Sequence, residues 1–253
     1  MKKPKMILFD YGNTLLYETD VDFLRGYRAI YPYITKNPRR VTPEDLESFG
    51  ESLFRKCSAS RNVGFEVHQW RNHRFMCEYL GIEFALSDAE VEKILWDNTA
   101  KGAQMPYAAE MLDCLRENGI RTGVISNIGW SGHALAERVN RLLPDNSFEF
   151  ILASSDYIFR KPDPMLFELA LRKADLPPED VWYCGDKIEY DVDGAKSAGI
   201  FPVLYEDLTV ENPWESSSSS GEISVPHLHI HDWRELIDIL EGITEASASL
   251  SYL

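Results

Sequence analysis

The feature that most restricts what this chain can fold into is a recurrence of short apolar, β-branched runs separated by longer helical patterns. The runs are KMILF (5–9), RTGVIS (121–126), FEFILAS (148–154), DVWYCG (180–185) and IFPVL (200–204). Runs this short and this apolar read as strands buried on both faces. Between them, 3.6-residue periodicity predicts helices at about 107–118, 131–142, 164–174 and 190–198, several closed by glycines such as Gly119 and Gly199. Strand and helix in alternation predict a doubly wound, Rossmann-like α/β fold built on a parallel sheet.

Residues 18–102 interrupt that alternation. Segments such as PEDLESFGESLFRKC (43–57) and EVHQWRNHRFMCEYLG (66–81) carry helical periodicity, and no strand is convincing there. The stretch reads as a helical domain inserted after the first strand. The core is then discontinuous, 1–17 and 103–245, in keeping with a 253-residue chain that divides into two domains. The Ser-rich segment 211–226 reads as a flexible loop, HLHIHDWRELIDILEG (227–242) as a last strand and helix, and 246–253 as a tail that frays.

Charge removes one class of function. The net charge is −15, whereas phosphate backbones are gripped by clustered Lys and Arg, so no nucleic-acid partner is expected. The acidity is uneven: residues 18–102 carry 12 Lys/Arg against 14 Asp/Glu, and the rest of the chain 14 against 27. An anionic substrate therefore needs local cations, and the nearly neutral segment can supply some. Cys57, Cys77, Cys114 and Cys184 show no CxxC or zinc-type spacing and read as reduced thiols, Cys184 packing in the apolar run VWYC. The opening MKKPKMILFD is too short in its apolar part for a signal peptide and no long apolar stretch follows, so the expectation is a cytoplasmic protein with no membrane partner.

In open α/β sheets, ligands sit beyond the carboxyl ends of the strands. Asp10 follows MILF, Ser126 ends TGVIS, Lys161 lies in the loop after FEFILAS, and Asp186 follows VWYCG. Singly, each has an ordinary reading as a cap, a turn residue or a solvated cation, and Lys161 before Pro162 can simply send its side chain to water. Together they supply a carboxylate nucleophile, a hydroxyl donor, a fixed cation and acidic metal ligands, the parts of a phosphoryl-transfer site.

The segments DYGNTL (10–15), VISN (124–127), RKPDP (160–164) and GDKIEYD (185–191) resemble, in order and spacing, the four motifs of the haloacid dehalogenase superfamily. The helical insertion resembles that family's C1-type cap. The resemblance implies a hydrolase acting on a small phosphorylated molecule, with Asp10 as a nucleophile that forms a covalent aspartyl intermediate. It implies Mg²⁺ held by Asp10, the backbone carbonyl of Gly12 and Asp186, with Asp191 in support. Ser126 and the Asn127 amide would hydrogen-bond the transferring phosphoryl group, and Lys161 would neutralise charge on it and on Asp10. Thr14 would shape the first turn and hydrogen-bond locally.

One position departs from the pattern. The family's phosphatases carry a second Asp, the general acid and base, where this chain has Gly12. Losing that assistance typically costs about 10² to 10⁴ in rate. Either another residue replaces the acid, or the leaving group needs little protonation, or the protein is a faded hydrolase that binds metal and phosphate for a regulatory purpose. Candidate replacements are His68, Arg71, His73 and Arg74, although a solvated helix face is the preferred reading, since the aromatic and apolar residues nearby explain the helix alone. Phosphonate hydrolysis would need an imine-forming lysine from Lys36, Lys56, Lys93 or Lys101. Dehalogenation of the family's metal-free kind is disfavoured by the acidic residues kept in GDKIEYD. Restoring an Asp at position 12 is open unless Gly12 has a positive φ or a neighbour such as Tyr11 fills the space.

Overall fold

A computed structural model describes residues 1–210 and 225–250. The chain opens with β1 (Met6–Phe9), turns into β2 (Leu16–Thr19) and enters the insert. There follow α1 (Phe23–Ile30), β3 (Ile34–Lys36), α2 (Pro43–Asn62), α3 (Gln69–Leu80), β4 (Glu83–Phe84) and α4 (Asp88–Thr99). The return runs through β5 (Lys101–Gln104), α5 (Ala108–Glu117), β6 (Arg121–Ser126), α6 (Gly132–Leu142), β7 (Phe148–Ala153), α7 (Ser154–Tyr157) and α8 (Pro164–Ala174). Then come β8 (Val181–Gly185), a π-helical turn (Ile188–Val192), α9 (Asp193–Ser197), β9 (Phe201–Tyr205), β10 (Leu228–Ile230) and α10 (Trp233–Leu250).

Six strands form one sheet in the order β10-β9-β8-β1-β6-β7, and every neighbouring pair is parallel. The period of two along β1 divides the core. Ile7 and Phe9 join a cluster with Leu115 of α5, Val139 of α6 and Trp233 of α10, while Met6 and Leu8 join one with Phe167 of α8 and Ala195 of α9. All four β1 side chains are fully buried, as expected of a central strand covered by helices on both faces. Trp233 stacks on Tyr205 at 4.2 Å and donates from Nε1 to the Thr14 carbonyl at 3.1 Å, which ties α10 to the loop after β1. The Thr14 hydroxyl is buried without a hydrogen-bond partner among the described residues, so the local side-chain bond expected of it is not made.

The insert has its own core, with Tyr27 and Ile30 of α1, Leu46 of α2, Met76 of α3 and Leu95 of α4. Local signals start its helices: Thr42 and Asp45 form a capping box before α2, with Pro43 in the first turn, and Ser87 and Glu90 form another before α4. The insert is not wholly helical. β3 pairs antiparallel with β4, two pieces too short to display a two-residue period, which is why the sequence shows no strand there. β2 pairs antiparallel with β5, so the expected boundaries near 18 and 102 fall within a hydrogen-bonded ribbon.

The insert and the sheet pack together. Trp96 of α4 stacks on Trp130, which follows β6, at 5.2 Å and 12°. Arg138 is buried with its guanidinium 4.5 Å from the Trp96 ring, donating to the Tyr11 hydroxyl at 3.0 Å and the Ala100 carbonyl at 2.6 Å. Of the expected flexible loop 211–226, residues 211–224 lie outside the described residues. The tail expected from 246 is overtaken by α10, which stays helical through Leu250, and 251–253 lie outside. No helix among the described residues is long and apolar enough to cross a membrane.

Candidate functional site

At β1 the sheet reverses its winding: β6 and β7 lie to one side, β8, β9 and β10 to the other. A crevice opens beyond the carboxyl ends of strands at such a switch point. Asp10 is the first residue after β1, Ser126 the last of β6, and Asp186 the first after β8, while the loop before α8 brings in Lys161. All four line one cavity of about 860 Å³, closed over by residues of α1 and α2.

Lys161 sits at the centre of the polar cluster, 1% exposed, so its side chain does not go to water. Its ammonium donates to Asp10 Oδ1 at 2.8 Å, Asp191 Oδ1 at 2.6 Å and the Tyr183 hydroxyl at 2.6 Å. Burial by itself lowers a lysine, but the carboxylates of Asp10 and Asp191 outweigh it and hold this ammonium charged. Tyr183 donates in turn to the Ile125 carbonyl at 3.1 Å. Asp191 uses both oxygens: Oδ2 accepts from the Lys187 backbone N–H at 2.9 Å. The π-helical turn and Gly185 permit this, since a Cβ at Gly185 would come within 2.2 Å of the Asp191 carboxyl carbon.

Carboxylate oxygens of Asp10, Asp186 and Asp191 lie within 4.8 Å of one another. Burial pushes Asp10 up to about 6, against the pull of Lys161. Burial, then the charges of Asp191 and Asp10, pushes Asp186 up to about 7. Three carboxylates against the ammonium groups of Lys161 and Lys187, the latter 3.2 Å from Asp186, leave an excess negative charge made only of hard oxygen donors. Such a set fits a small hard dication and no thiol-seeking metal. Since Asp191 has both oxygens engaged, Asp10 and Asp186 are the residues with an oxygen to give.

Ser126 is 2% exposed, and its hydroxyl lines the cavity without a protein partner among the described residues. Asn127 differs from expectation. Its side-chain amide donates to the Lys161 carbonyl at 2.8 Å and accepts from the Lys161 N–H at 2.7 Å, so both ends hold the Lys161 backbone. The side chain positions the cation instead of pointing at a ligand.

Gly12 lines the cavity, has no positive φ, and a Cβ built on it meets nothing within 4 Å. The backbone obstacle to a side chain at this position is absent, and a Cβ there meets no atom beyond its own chain neighbours. None of the candidate replacement acids faces the cavity. His68 caps α3 by accepting from the Trp70 N–H at 3.2 Å, and Arg74 pairs with Glu78 on the exposed face of α3. His73 is buried against the Trp70 ring at 4.5 Å, and burial lowers it to about 4, so it is neutral near pH 7. Lys36, Lys56, Lys93 and Lys101 do not line the cavity either, so none of the insert lysines considered for an imine reaches it. The sequence reading missed Tyr183, hidden inside an apolar run, and Arg160, overlooked beside Lys161. It also missed Arg61 and Glu66, joined at 2.8 Å across an irregular turn that no periodicity marks.

A sequence model of haloacid dehalogenase-like hydrolases matches residues 4–199. Glyceraldehyde 3-phosphate phosphatase of Pyrococcus furiosus is 25% identical over 210 residues, 81% of this chain and 82% of that protein. Haloacid dehalogenase-like hydrolase domain-containing protein 3 of Homo sapiens is 32% identical over 168 residues, 65% of this chain and 64% of that one. In fold, the crystal structure of 2-haloacid dehalogenase from Pseudomonas syringae pv. Tomato DC3000 matches with a TM-score of 0.59 at 20% identity, covering 95% of this chain and 99% of that one.

Proposed function

Since the chain belongs to the haloacid dehalogenase-like hydrolases, we propose that it is a Mg²⁺-dependent phosphomonoesterase acting on a small phosphorylated metabolite through Asp10. The observation that carries this reading is the bonding of Lys161 to Asp10 and Asp191 inside a carboxylate cluster that opens on a cavity. The phosphatase relative supports the substrate class. Asp10 and Asp186 would hold the ion, which when bound supplies positive charge that lets a phosphate dianion approach a carboxylate.

Asp10 attacks phosphorus through one carboxylate oxygen, the ester P–O bond breaks, and the alcohol oxygen leaves with the bonding pair. Lys161 keeps Asp10 ionised and aimed, and Asn127 and Tyr183 hold Lys161. Ser126 donates to a phosphoryl oxygen. Water then attacks the aspartyl phosphate, the bond from phosphorus to Asp10 breaks, and inorganic phosphate is released. The insert acts as a cap, covering one side of the cavity with residues of α1 and α2.

Gly12 bears on the protons in both steps. With no carboxyl there, the departing oxygen must carry its charge or find a proton elsewhere, so esters with acidic leaving groups are favoured. Turnover of p-nitrophenyl phosphate should exceed that of an alkyl phosphate by far more than in an enzyme with an acid at this position. Comparable rates on the two would sink this view of Gly12. The same glycine favours the second reading, a faded metal- and phosphate-binding protein, for which p-nitrophenyl phosphate with Mg²⁺ gives no turnover while phosphate still binds.

A further inference from the structure

Away from the carboxylate cluster, the same cavity is lined by two arginines that share one acid. Glu66, 8% exposed, accepts from Arg61 Nε at 2.8 Å and lies 3.4 Å from an Arg160 guanidinium nitrogen. Its remaining capacity is taken by the Val67 N–H at 3.0 Å and the Ser154 hydroxyl at 3.0 Å. Neither arginine pairs with a second carboxylate among the described residues, so one of the two positive charges is uncompensated at the cavity wall. Arg61 is also held with its guanidinium 4.2 Å from the Phe54 ring, and its Nη1 is buried without a hydrogen-bond partner among the described residues. Arg61 and Arg160 each keep 15% side-chain exposure and line the cavity, so guanidinium edges not used by Glu66 can meet an anion there. The fork is fixed beforehand by the fully bonded Glu66, which lowers the ordering cost of using it.

The hydrolytic reading already gives the transferring phosphoryl group its partners, and a cavity of about 860 Å³ stands high in the roughly 300–1,000 Å³ range of small-molecule sites. There is room for a second charged group on the same ligand. We propose that Arg61 and Arg160 bind a second anionic group of the substrate, so that this protein takes phosphomonoesters that also carry a carboxylate or another phosphate. The inference rests on the phosphomonoesterase reading for the first anion.

The test is calorimetric binding with Mg²⁺ in the Asp10→Asn background, where turnover does not intervene. Two matched pairs of probes are compared: glycerol 3-phosphate with 3-phosphoglycerate, and fructose 1-phosphate with fructose 1,6-bisphosphate. In at least one pair the second anion should tighten binding roughly tenfold or more, the usual scale for a charge-assisted bond. The pair that responds tells carboxylate from phosphate. Arg61→Met and Arg160→Met should each reduce that ratio several-fold; Arg160→Met leaves the Arg61–Glu66 pair in place and serves if Arg61→Met folds poorly. No preference in either pair, or equal weakening of both members by the arginine variants, overturns the inference. Turnover of p-nitrophenyl phosphate by the parent reports separately on the hydrolase: its absence with the binding preference intact overturns the enzyme and leaves the anion site.

Discussion

The two walls of the cavity are built on different principles. The sheet wall presents Asp10, Ser126 and Asp186 from strand ends and Lys161 from the loop before α8, each fixed by backbone that the parallel ladder dictates, and its polar groups are bonded mainly to one another. The insert wall presents side chains from helix faces and irregular turns, such as Glu47 and Glu51 of α2 and Arg61, which follows them on the same helix. The first wall is a closed electrostatic device in which removing one charge strands the others. The second is a surface whose residues pair locally, Glu51 with Arg55 at 3.1 Å for example, and can be exchanged one at a time. Chemistry is therefore expected from the first and selection from the second.

Substitutions can break or sharpen that contrast. The largest effect belongs to Asp10→Asn, which keeps shape and removes the proposed nucleophile: kcat should fall on the order of 10⁴-fold or more, and turnover close to the parent's contradicts the division of labour. Next is Lys161→Met, which leaves Asp10 and Asp191 buried without their cation. A cost of about 3–5 kcal/mol in denaturant unfolding is the scale for breaking one side of a buried pair. A melt indistinguishable from the parent's would show that the sheet wall is not coupled as described.

Gly12→Asp comes third. With open space and an ordinary backbone at position 12, the new carboxyl should raise turnover of an alkyl phosphate by up to about 10²-fold while changing p-nitrophenyl phosphate much less. A folded, Mg²⁺-binding variant with no gain on the alkyl ester contradicts the missing-acid account.

The proposed metal dependence has a sign in pH. Asp10 and Asp186 are raised to about 6 and about 7 from ordinary values near 4, so the metal-free folded state binds more protons than the unfolded chain between those limits. Their contribution to stability is present at low pH and lost as pH rises through 6 and 7. A dication competes with those protons, so the rise in Tm on adding Mg²⁺ should be small at pH 5 and grow to several degrees by pH 8. An increment that shrinks with rising pH would contradict binding at these carboxylates. The smallest effect is on the insert: His68→Ala should cost about 1 kcal/mol through the lost α3 cap. It should leave kcat/KM within about threefold, whereas a large loss of rate would return His68 to the chemistry.

How much of this was legible in the sequence follows the same divide. The core strands and most core helices were readable because buried parallel strands announce themselves as apolar runs and the helices by period. The positions of Asp10, Ser126 and Asp186 were readable because strand ends fix them, and that of Lys161 because its loop leads from β7 into α8. Nothing in VISN reveals that the Asn127 side-chain amide would close on the Lys161 backbone. The places of His68 and His73 could not be read from the sequence, because a histidine's chemistry depends on which face of α3 it occupies, and one faces the core while the other caps the helix. Arg61, Glu66 and Arg160 come from two distant segments that meet only because backbone bonds such as Glu66 N–H to the Ile158 carbonyl join the insert to the loop before Lys161.

The central claim, covalent phosphoryl transfer through Asp10, is tested most directly by acid-quenching the protein after mixing with p-nitrophenyl phosphate and Mg²⁺ and locating the phosphoryl group by mass spectrometry of its peptides. The account requires it on the peptide that contains Asp10, and requires its loss in Asp10→Asn. A phosphoryl group on any other residue, or one that persists in that variant, would contradict it.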